Sequence, residues 1–293
     1  MHINKAEEGC VMKRIGKRMV AVILCATVLC GAYAAGNFIY CMAEIEGEYR
    51  LPILMYHHIL KDKGKQGAYV ISPEEFREDL SYLKETGYTA IGTKELLAYQ
   101  EKGEPLPEKP VMLTFDDGYL SYMEYAVPLL EQYGMKAVVS VVGSYADTYT
   151  ENKDSNVSYA YLTWEDIRAL SGSSHTEIQN HTYDMHKVSH GQKGCARLKG
   201  EKESVYRERF TSDVSAMQTL LKQYTEKEAV CFTYPFGFCC GEAEEEIKNM
   251  GFRMSLCCAE GVNLLEKTSS LFMLKRFNRA HKRSAESILK SLD

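Results

Sequence analysis

Short apolar runs alternate along the chain with stretches in which apolar residues recur every three or four positions, and the alternation begins at residue 51. Leu51-Pro-Ile-Leu-Met-Tyr56 has the length of a buried strand and stops at His57-His58. Ser72-Pro73-Glu74-Glu75 reads as a helix cap with proline at the first helical position. Phe76, Leu80 and Leu83 continue that helix until Gly87 ends it. Tyr88 to Ile91 predicts a short strand and Thr93 to Gln100 a helix. Val111 to Phe115 predicts a strand ending at Asp116-Asp117-Gly118, followed by a helix through Leu129, Leu130 and Tyr133 to Gly134. Lys136 to Val142 is a further strand, and Thr163-Trp-Glu-Asp opens a helix with a capping-box pattern. Glu177 to Asn180 runs as a strand into His181. Val230 to Tyr234, closed by Pro235-Phe236-Gly237, and Arg253 to Cys257 are strands on either side of a helix from Glu242 to Met250.

Strand and helix taking turns over about 240 residues predict an α/β protein with a mostly parallel sheet, sized for a closed or incomplete (β/α) barrel. Function in such barrels gathers at the C-terminal strand ends. His57, Asp116-Asp117, His181 and Pro235-Phe236 each directly follow a predicted strand. No internal repeat is present. Lys187 to Arg209, with seven Lys/Arg against three Glu, reads as a solvated surface insertion or a loop leading into a helix.

Charge changes the picture at the N-terminus. Residues 1–18 hold five Lys/Arg and two Glu, whereas the whole 293-residue chain carries a net charge of -5. Residues 19–43 are uncharged over 25 positions, long enough for a tilted membrane helix. The basic flank predicts a cytoplasmic segment 1–18, an anchor at 19–43, a short linker at 44–50 and a catalytic domain at 51–293 outside the cytoplasm. Ala32-Tyr33-Ala34 leaves a cleaved signal peptide and a secreted protein as the alternative. The balance of 35 Lys+Arg against 40 Asp+Glu argues against a nucleic-acid partner. The acidic outer part also weighs mildly against a strongly anionic polymer as substrate. Four of the ten cysteines (Cys10, Cys25, Cys30, Cys41) lie in or beside the membrane segment. The other six show no CxxC spacing, so a structural zinc site is not expected. They read as core residues, with room for one disulfide between the 239/240 and 257/258 pairs.

Asp-Asp-Gly at a strand end is by itself also the composition of a surface turn. In a regular strand, adjacent carboxylates face opposite sides. At a turn they can divide two tasks, one binding a metal and the other taking a proton. His181 and His186, five positions apart, would point about 140° apart on a helix, so a joint ligand role needs a loop that wraps back on itself. Together these residues offer one Asp and two His, the donor composition of a catalytic metal site with an open position for water.

Thr-Phe-Asp116-Asp117-Gly, His181-Thr-x-x-x-His186 and Tyr234-Pro235-Phe236-Gly237, in that order, resemble the motif series of the NodB-like polysaccharide deacetylases, carbohydrate esterase family 4. The resemblance runs from about Leu51 to His281. Its longer His spacing is similar to the branch that includes the poly-N-acetylglucosamine deacetylases. The resemblance implies the distorted or incomplete barrel of that family, here preceded by the membrane helix. It implies one divalent ion, zinc with cobalt or nickel as alternatives, on Asp117, His181 and His186, and no nucleotide cofactor. It further implies Asp116 as general base and, from Leu54-Met55-Tyr56-His57-His58, His57 as general acid with His58 structural. Phe236 would supply an oxyanion-stabilising N–H, with Pro235 and Tyr234 in the substrate groove. The implied reaction is removal of acetyl groups from peptidoglycan or poly-N-acetylglucosamine, with release of acetate.

Two positions depart from the family pattern. Thr233 stands where the commoner motif has an Arg that orients the catalytic Asp, leaving Asp116 without a visible partner. Ser140 replaces a more usual aromatic. A protonated His57 would also require a partner that raises its pKa, and none is apparent in the sequence. Trp164 reads as a packing residue, and His175, His190 and His281 are given no role. Retention of both Asp, both ligand His and His57 favours an enzyme over a non-catalytic glycan-binding module. A metal amidase acting on a non-glycan amide would use the same site.

Overall fold

The computed structural model of the chain describes residues 49–189 and 191–292. The predicted membrane segment, residues 44–48 of the linker and His190 lie outside the described residues. Among the described residues no helix is long and apolar enough to cross a membrane.

Eight strands form one parallel sheet: β1 Ile53–Tyr56, β2 Thr89–Ala90, β3 Pro110–Phe115, β4 Ala137–Val141, β5 Thr176–Asn180, β6 Cys231–Thr233, β7 Met254–Leu256 and β8 Phe277–Asn278. Their order is β7-β6-β5-β4-β3-β1-β8, with β2 paired to the start of β3. Helices α1 Pro73–Glu85, α2 Thr93–Lys102, α3 Val127–Tyr133, α4 Gly143–Asn152, α5 Trp164–Ser171, α6 Glu203–Thr225, α7 Gly241–Asn249 and α8 Ala285–Lys290 complete the alternation. The sheet curls, and its two edges are bridged where Leu274, just ahead of β8, pairs with Leu256 of β7. The result is an incomplete barrel whose last side is an irregular segment.

Strand periodicity of two sorts the side chains into layers. Leu54, Leu113, Phe115 and Val139 face outward into a large cluster shared with the helices, among them Phe76, Tyr206 and Phe210. Ile53, Met112, Val138, Cys231 and Met254 face inward and fill the lower barrel. Above them the interior turns polar. Ser140 Oγ and Thr233 Oγ1 lie 2.7 Å apart, and Thr114 Oγ1 donates to Leu54 C=O at 3.0 Å. The two departures from the family pattern, Ser140 and Thr233, are therefore partners in one buried hydrogen bond.

The predicted caps form as expected, with reciprocal capping boxes at Ser72/Glu75 and Thr163/Asp166. The first predicted strand is broken at Pro52, which has no N–H for a ladder. Tyr49–Leu51 pairs instead with Asn263–Leu265 in a separate antiparallel ribbon. Lys187–Arg209 resolves into a hairpin (Val188–Ser189 with Gln192–Lys193), a loop and the start of α6. All six described cysteines are free. The Cys257 thiol donates to the carbonyls of Met273 and Leu274, and Cys258 faces Arg276, so neither joins the 239/240 pair. Trp164 is buried, donates to Asp147 and stacks on Tyr224 at 4.8 Å, a packing residue as expected.

The C-terminal segment is tied to α1 by ion pairs. Arg279 meets Asp79 at 2.6 Å with both side chains buried, and Asp79 also accepts from Tyr56 Oη and the Ala285 N–H. Partial burial opposes ionisation of Glu75, but N–H donors from Lys282 and Ser72, with His281 and Arg279, hold its carboxyl down to about 2. A carboxylate lowered in this way stabilises the fold above its ordinary value of 4.5, and the contribution is lost as pH falls towards about 2. The urea midpoint should therefore decline over that interval, and Glu75→Gln should flatten the decline; an unchanged slope in the variant would contradict the assignment.

Candidate active site

Strand register places the site. Tyr56 pairs with Phe115, Phe115 with Val139, Val141 with Asn180 and Asn180 with Phe232. The residues that follow these strand ends, His57, Asp116 and His181, therefore share one rim with the turn after β6. They line a cavity of about 580 Å³ together with Asp117, His186 and Phe236.

Asp116 continues the inward face of Met112 and Thr114. Asp117 would face outward in a continued strand, but its left-handed φ of 72°, followed by Gly118 at 74°, turns its carboxylate back into the cavity. A Cβ on Gly118 would lie 2.9 Å from Val141, so this turn requires glycine. The loop after β5 wraps back through Thr182, whose φ is 75°. Asp117 Oδ1 then lies 3.0 Å from His186 Nε2 and 3.4 Å from His181 Nε2.

These three groups fit a cation. The ligand atoms of Asp117, His181 and His186 all lie within 4.8 Å of one another. His181 Nδ1–H donates to Thr233 C=O at 2.7 Å, so the lone pair of the neutral ring is on Nε2, facing the carboxylate. Tyr145 Oη lies 3.2 Å from His186 Nδ1 and donates to the His186 carbonyl, leaving that ring likewise with Nε2 turned inward. Asp117 Oδ1 is buried and makes no well-directed hydrogen bond within the described residues. Two imidazole lone pairs facing a carboxylate oxygen repel unless a proton or a metal ion lies among them. One carboxylate oxygen and two imidazole nitrogens are the donor set of a catalytic zinc centre.

Asp116 does have a partner, supplied from the far end of the chain. Arg276, wholly buried in the segment that closes the barrel, meets its carboxylate through two parallel bonds of 2.7 and 2.8 Å. Arg276 also donates to Cys257 C=O at 2.9 Å and reaches Thr114 Oγ1 at 3.3 Å. Burial alone would raise the Asp116 carboxyl, but the Arg276 charge and its two hydrogen bonds hold it below the usual carboxylate range. Sequence reasoning missed this residue because it is 160 positions away and belongs to none of the quoted motifs. Lys275-Arg276 at a strand start carries no local signal of burial.

His57 lines the cavity beside Tyr69, with ring centroids 4.8 Å apart. The groups that would raise its pKa are the carboxylates of Asp116 and Asp117, and burial outweighs them. Its Nδ1 is buried without a hydrogen bond among the described residues, and the imidazole is held below its ordinary value. His58 is built into the scaffold as expected, bonded to Ser121 Oγ and Ser158 C=O and stacked on Tyr119 at 4.1 Å.

The turn after β6 corrects the expected groove. Tyr234 and Pro235 are buried; Tyr234 points outward against Phe232, with centroids 4.9 Å apart, because it alternates with inward-facing Thr233. Phe236, at φ 57°, does line the cavity. The turn's own bonds run from Gly237 N–H to Tyr234 C=O and from Phe238 N–H to Pro235 C=O, leaving the Phe236 N–H outside them. Phe238, Tyr69 and Asn278, which the motifs did not include, join the cavity wall. Of the four exposed aromatic side chains among the described residues (Tyr69, Tyr159, Phe236, Phe238), three stand at this mouth.

The family model for polysaccharide deacetylases matches residues 103–255, and the chain belongs to that family. A poly-beta-1,6-N-acetyl-D-glucosamine N-deacetylase of Escherichia coli (strain K12) is 28% identical over 227 residues, covering 71% of this chain and 34% of the relative. The chain thus spans only about a third of that relative's length. The solved structure of IcaB from Ammonifex degensii is 25% identical and covers 84% of this chain and 97% of that one, with a TM-score of 0.68. The fold is also that of a de-N-acetylase from Aggregatibacter actinomycetemcomitans, with a TM-score of 0.72 at 21% identity over 83% of this chain and 99% of that one.

Removing one partner of the buried Arg276–Asp116 pair strands the other charge. Arg276→Met should cost about 3–5 kcal/mol in denaturant unfolding. The double variant Arg276→Met/Asp116→Leu should recover a large part of that loss. A single variant as stable as the parent would show the pair to be irrelevant to the fold.

Proposed function

We propose that this polysaccharide deacetylase is metal-dependent and removes acetyl groups from N-acetylglucosamine residues of an exported glycan of the poly-N-acetylglucosamine type. The observation that carries the reading is the convergence of Asp117, His181 and His186 beside an Asp116 held as an anion by Arg276. The uncharged segment 19–43 behind its basic flank supports placement of the domain at the outer face of a membrane, where such a glycan is met. The polymer in the name of the Escherichia coli relative, poly-beta-1,6-N-acetyl-D-glucosamine, supports the choice of that glycan over peptidoglycan.

Asp117, His181 and His186 would hold the ion, zinc by its donor chemistry, and the ion when bound supplies Lewis acidity to the amide carbonyl and to water. Asp116 is the general base. It takes the proton of the attacking water, and the fixed Arg276 fork keeps its buried carboxylate ionised and aimed at the floor of the cavity. The Phe236 N–H, free of the turn's own bonds, is the donor offered to the developing oxyanion. His57, which lines the cavity where the Asp116 and Asp117 carboxylates favour its protonated form, would deliver a proton to the departing amine so that a free glucosamine and acetate leave. Tyr69 stands beside His57, and Phe236 lies 4.3 Å from His186, so apolar faces bracket the reacting centre on both sides, as suits a pyranose chain.

The test is acetate release by the full chain from N-acetylglucosamine oligomers, from peptidoglycan and from simple amides, with added zinc or cobalt. Metal-dependent release from the oligomers is expected. Asp116→Asn and His181→Ala should abolish it, and His57→Gln should lower kcat by about 10²–10⁴-fold. Release from simple amides alone would identify a non-glycan amidase. No release despite stoichiometric metal binding would identify a glycan-binding module.

Tyr69→Ala and Phe238→Ala should raise KM for long oligomers several-fold while leaving kcat near the parent value. A fall in kcat with KM unchanged would place these side chains in the chemistry and not in the groove.

A further inference from the structure

The loop from His181 to His186 must reverse direction for both imidazoles to reach one carboxylate oxygen, and its backbone is fixed almost group by group. Thr182 N–H donates to Asn180 Oδ1 at 2.8 Å, while Thr182 and Tyr183 C=O accept from the first N–H groups of α4, those of Gly143 at 3.1 Å and Ser144 at 2.7 Å. The two successive N–H groups at the crown of the loop, Tyr183 and Asp184, both go to one side chain. Asp213, projecting from α6, accepts the first on Oδ1 and the second on Oδ2, each at 2.8 Å.

We propose that Asp213 is a positioning residue of the metal centre: its carboxylate, lent by α6, holds the reversal that brings His181 and His186 onto Asp117. Tyr145, from α4, does the same for the His186 ring through its 3.2 Å contacts with Nδ1 and with the His186 carbonyl. The inference rests on the metal-dependent reading above and deepens it. Neither residue touches Asp117 or the cavity interior. Both act through the ligands, one on the backbone between them and one on an imidazole.

A carboxylate is the suited group at 213. It offers two acceptors to two donors, whereas an amide offers one acceptor and turns an NH₂ toward a backbone N–H. The neighbouring Asp184 carboxylate does not compete, since it pairs with Lys187 Nζ at 2.5 Å. A Cβ on Gly143 would lie 2.5 Å from the Tyr183 ring, so the loop has no slack on its α4 side. A loss on the α6 side must therefore be taken up by the loop itself.

The experiment is calorimetric titration of zinc, and optical titration of cobalt, into the metal-stripped full chain and its Asp213→Asn and Tyr145→Phe variants. Circular dichroism of the metal-free proteins reports folding. Partners of metal ligands typically contribute about 10- to 100-fold to metal affinity. Asp213→Asn should lose affinity within that range and shift the visible cobalt bands that report ligand geometry. Tyr145→Phe, which deletes a single hydroxyl, should lose affinity in the same direction and decides the matter if Asp213→Asn does not fold. Folded variants that bind zinc within twofold of the parent, with unchanged cobalt bands, would reduce both residues to ordinary loop supports and overturn the inference. A parent chain that binds neither ion would overturn the metal-centre reading and this inference with it.

Discussion

The buried pair between Arg276 and Asp116 is the interaction around which the upper barrel is organised. Taking a guanidinium and a carboxylate out of water costs several kcal/mol for each ion, and their attraction offsets this only when the geometry is good and the remaining donors are used. Here the fork is bidentate, and further N–H groups go to Cys257 C=O and Thr114 Oγ1. Thr114 meets one of those demands where the barrel interior changes from Met112, Val138 and Met254 below to Thr114, Ser140 and Thr233 above, and Ser140 and Thr233 satisfy each other. The same demands explain why the last side of the barrel is irregular. The segment around Leu274 bridges β7 to β8 without becoming a long strand, and in doing so carries the guanidinium into the interior.

Of the seven non-glycine residues in the left-handed region among the described residues, three stand at the site. Asp117, Thr182 and Phe236 are non-glycine residues in the left-handed region, and each stands at a turn immediately after a sheet strand. Lys153 and Glu226, also left-handed, merely end helices α4 and α6, a usual use of that conformation. At Asp117 and Phe236 the same conformation turns into the cavity a side chain that strand alternation would send outward, and at Thr182 it reverses the loop. Such residues typically cost about 1–3 kcal/mol each and persist because their surroundings over-determine them. At Thr182 those surroundings are Asn180, the first turn of α4 and Asp213.

Around this rigid floor the rim is aromatic and open. Tyr69, Phe236 and Phe238 offer exposed ring faces, while Tyr119 is stacked between His58 and Tyr161 and stiffens the wall behind them. A rigid polar floor beneath an apolar rim suits a substrate whose amide is gripped while its ring faces slide. A chain of N-acetylated sugars has that character.

The sequence by itself determined the alternation of strands and helices, because periodicities of 2 and 3.6 are local properties of side-chain placement. It also named most of the residues that the structure brings together at the cavity. Asp116, Asp117, His181, His186 and His57 follow strand ends, and in a parallel sheet with aligned registers strand ends share a rim. Tyr234 and Pro235 were misplaced in the groove because a motif names residues without saying which side of a strand each faces; alternation with Thr233 turns Tyr234 into the core. Only the tertiary structure decided what supports the chemistry. Arg276 reaches Asp116 across 160 positions, and Asp213 holds a loop 29 and 30 positions before it. Neither contact follows from any local pattern, since it arises when the barrel closes and α6 lies along the sheet. The His57 Nδ1, unpartnered among the described residues, belongs with them, because burial is a property of the assembled fold and no residue carries it alone.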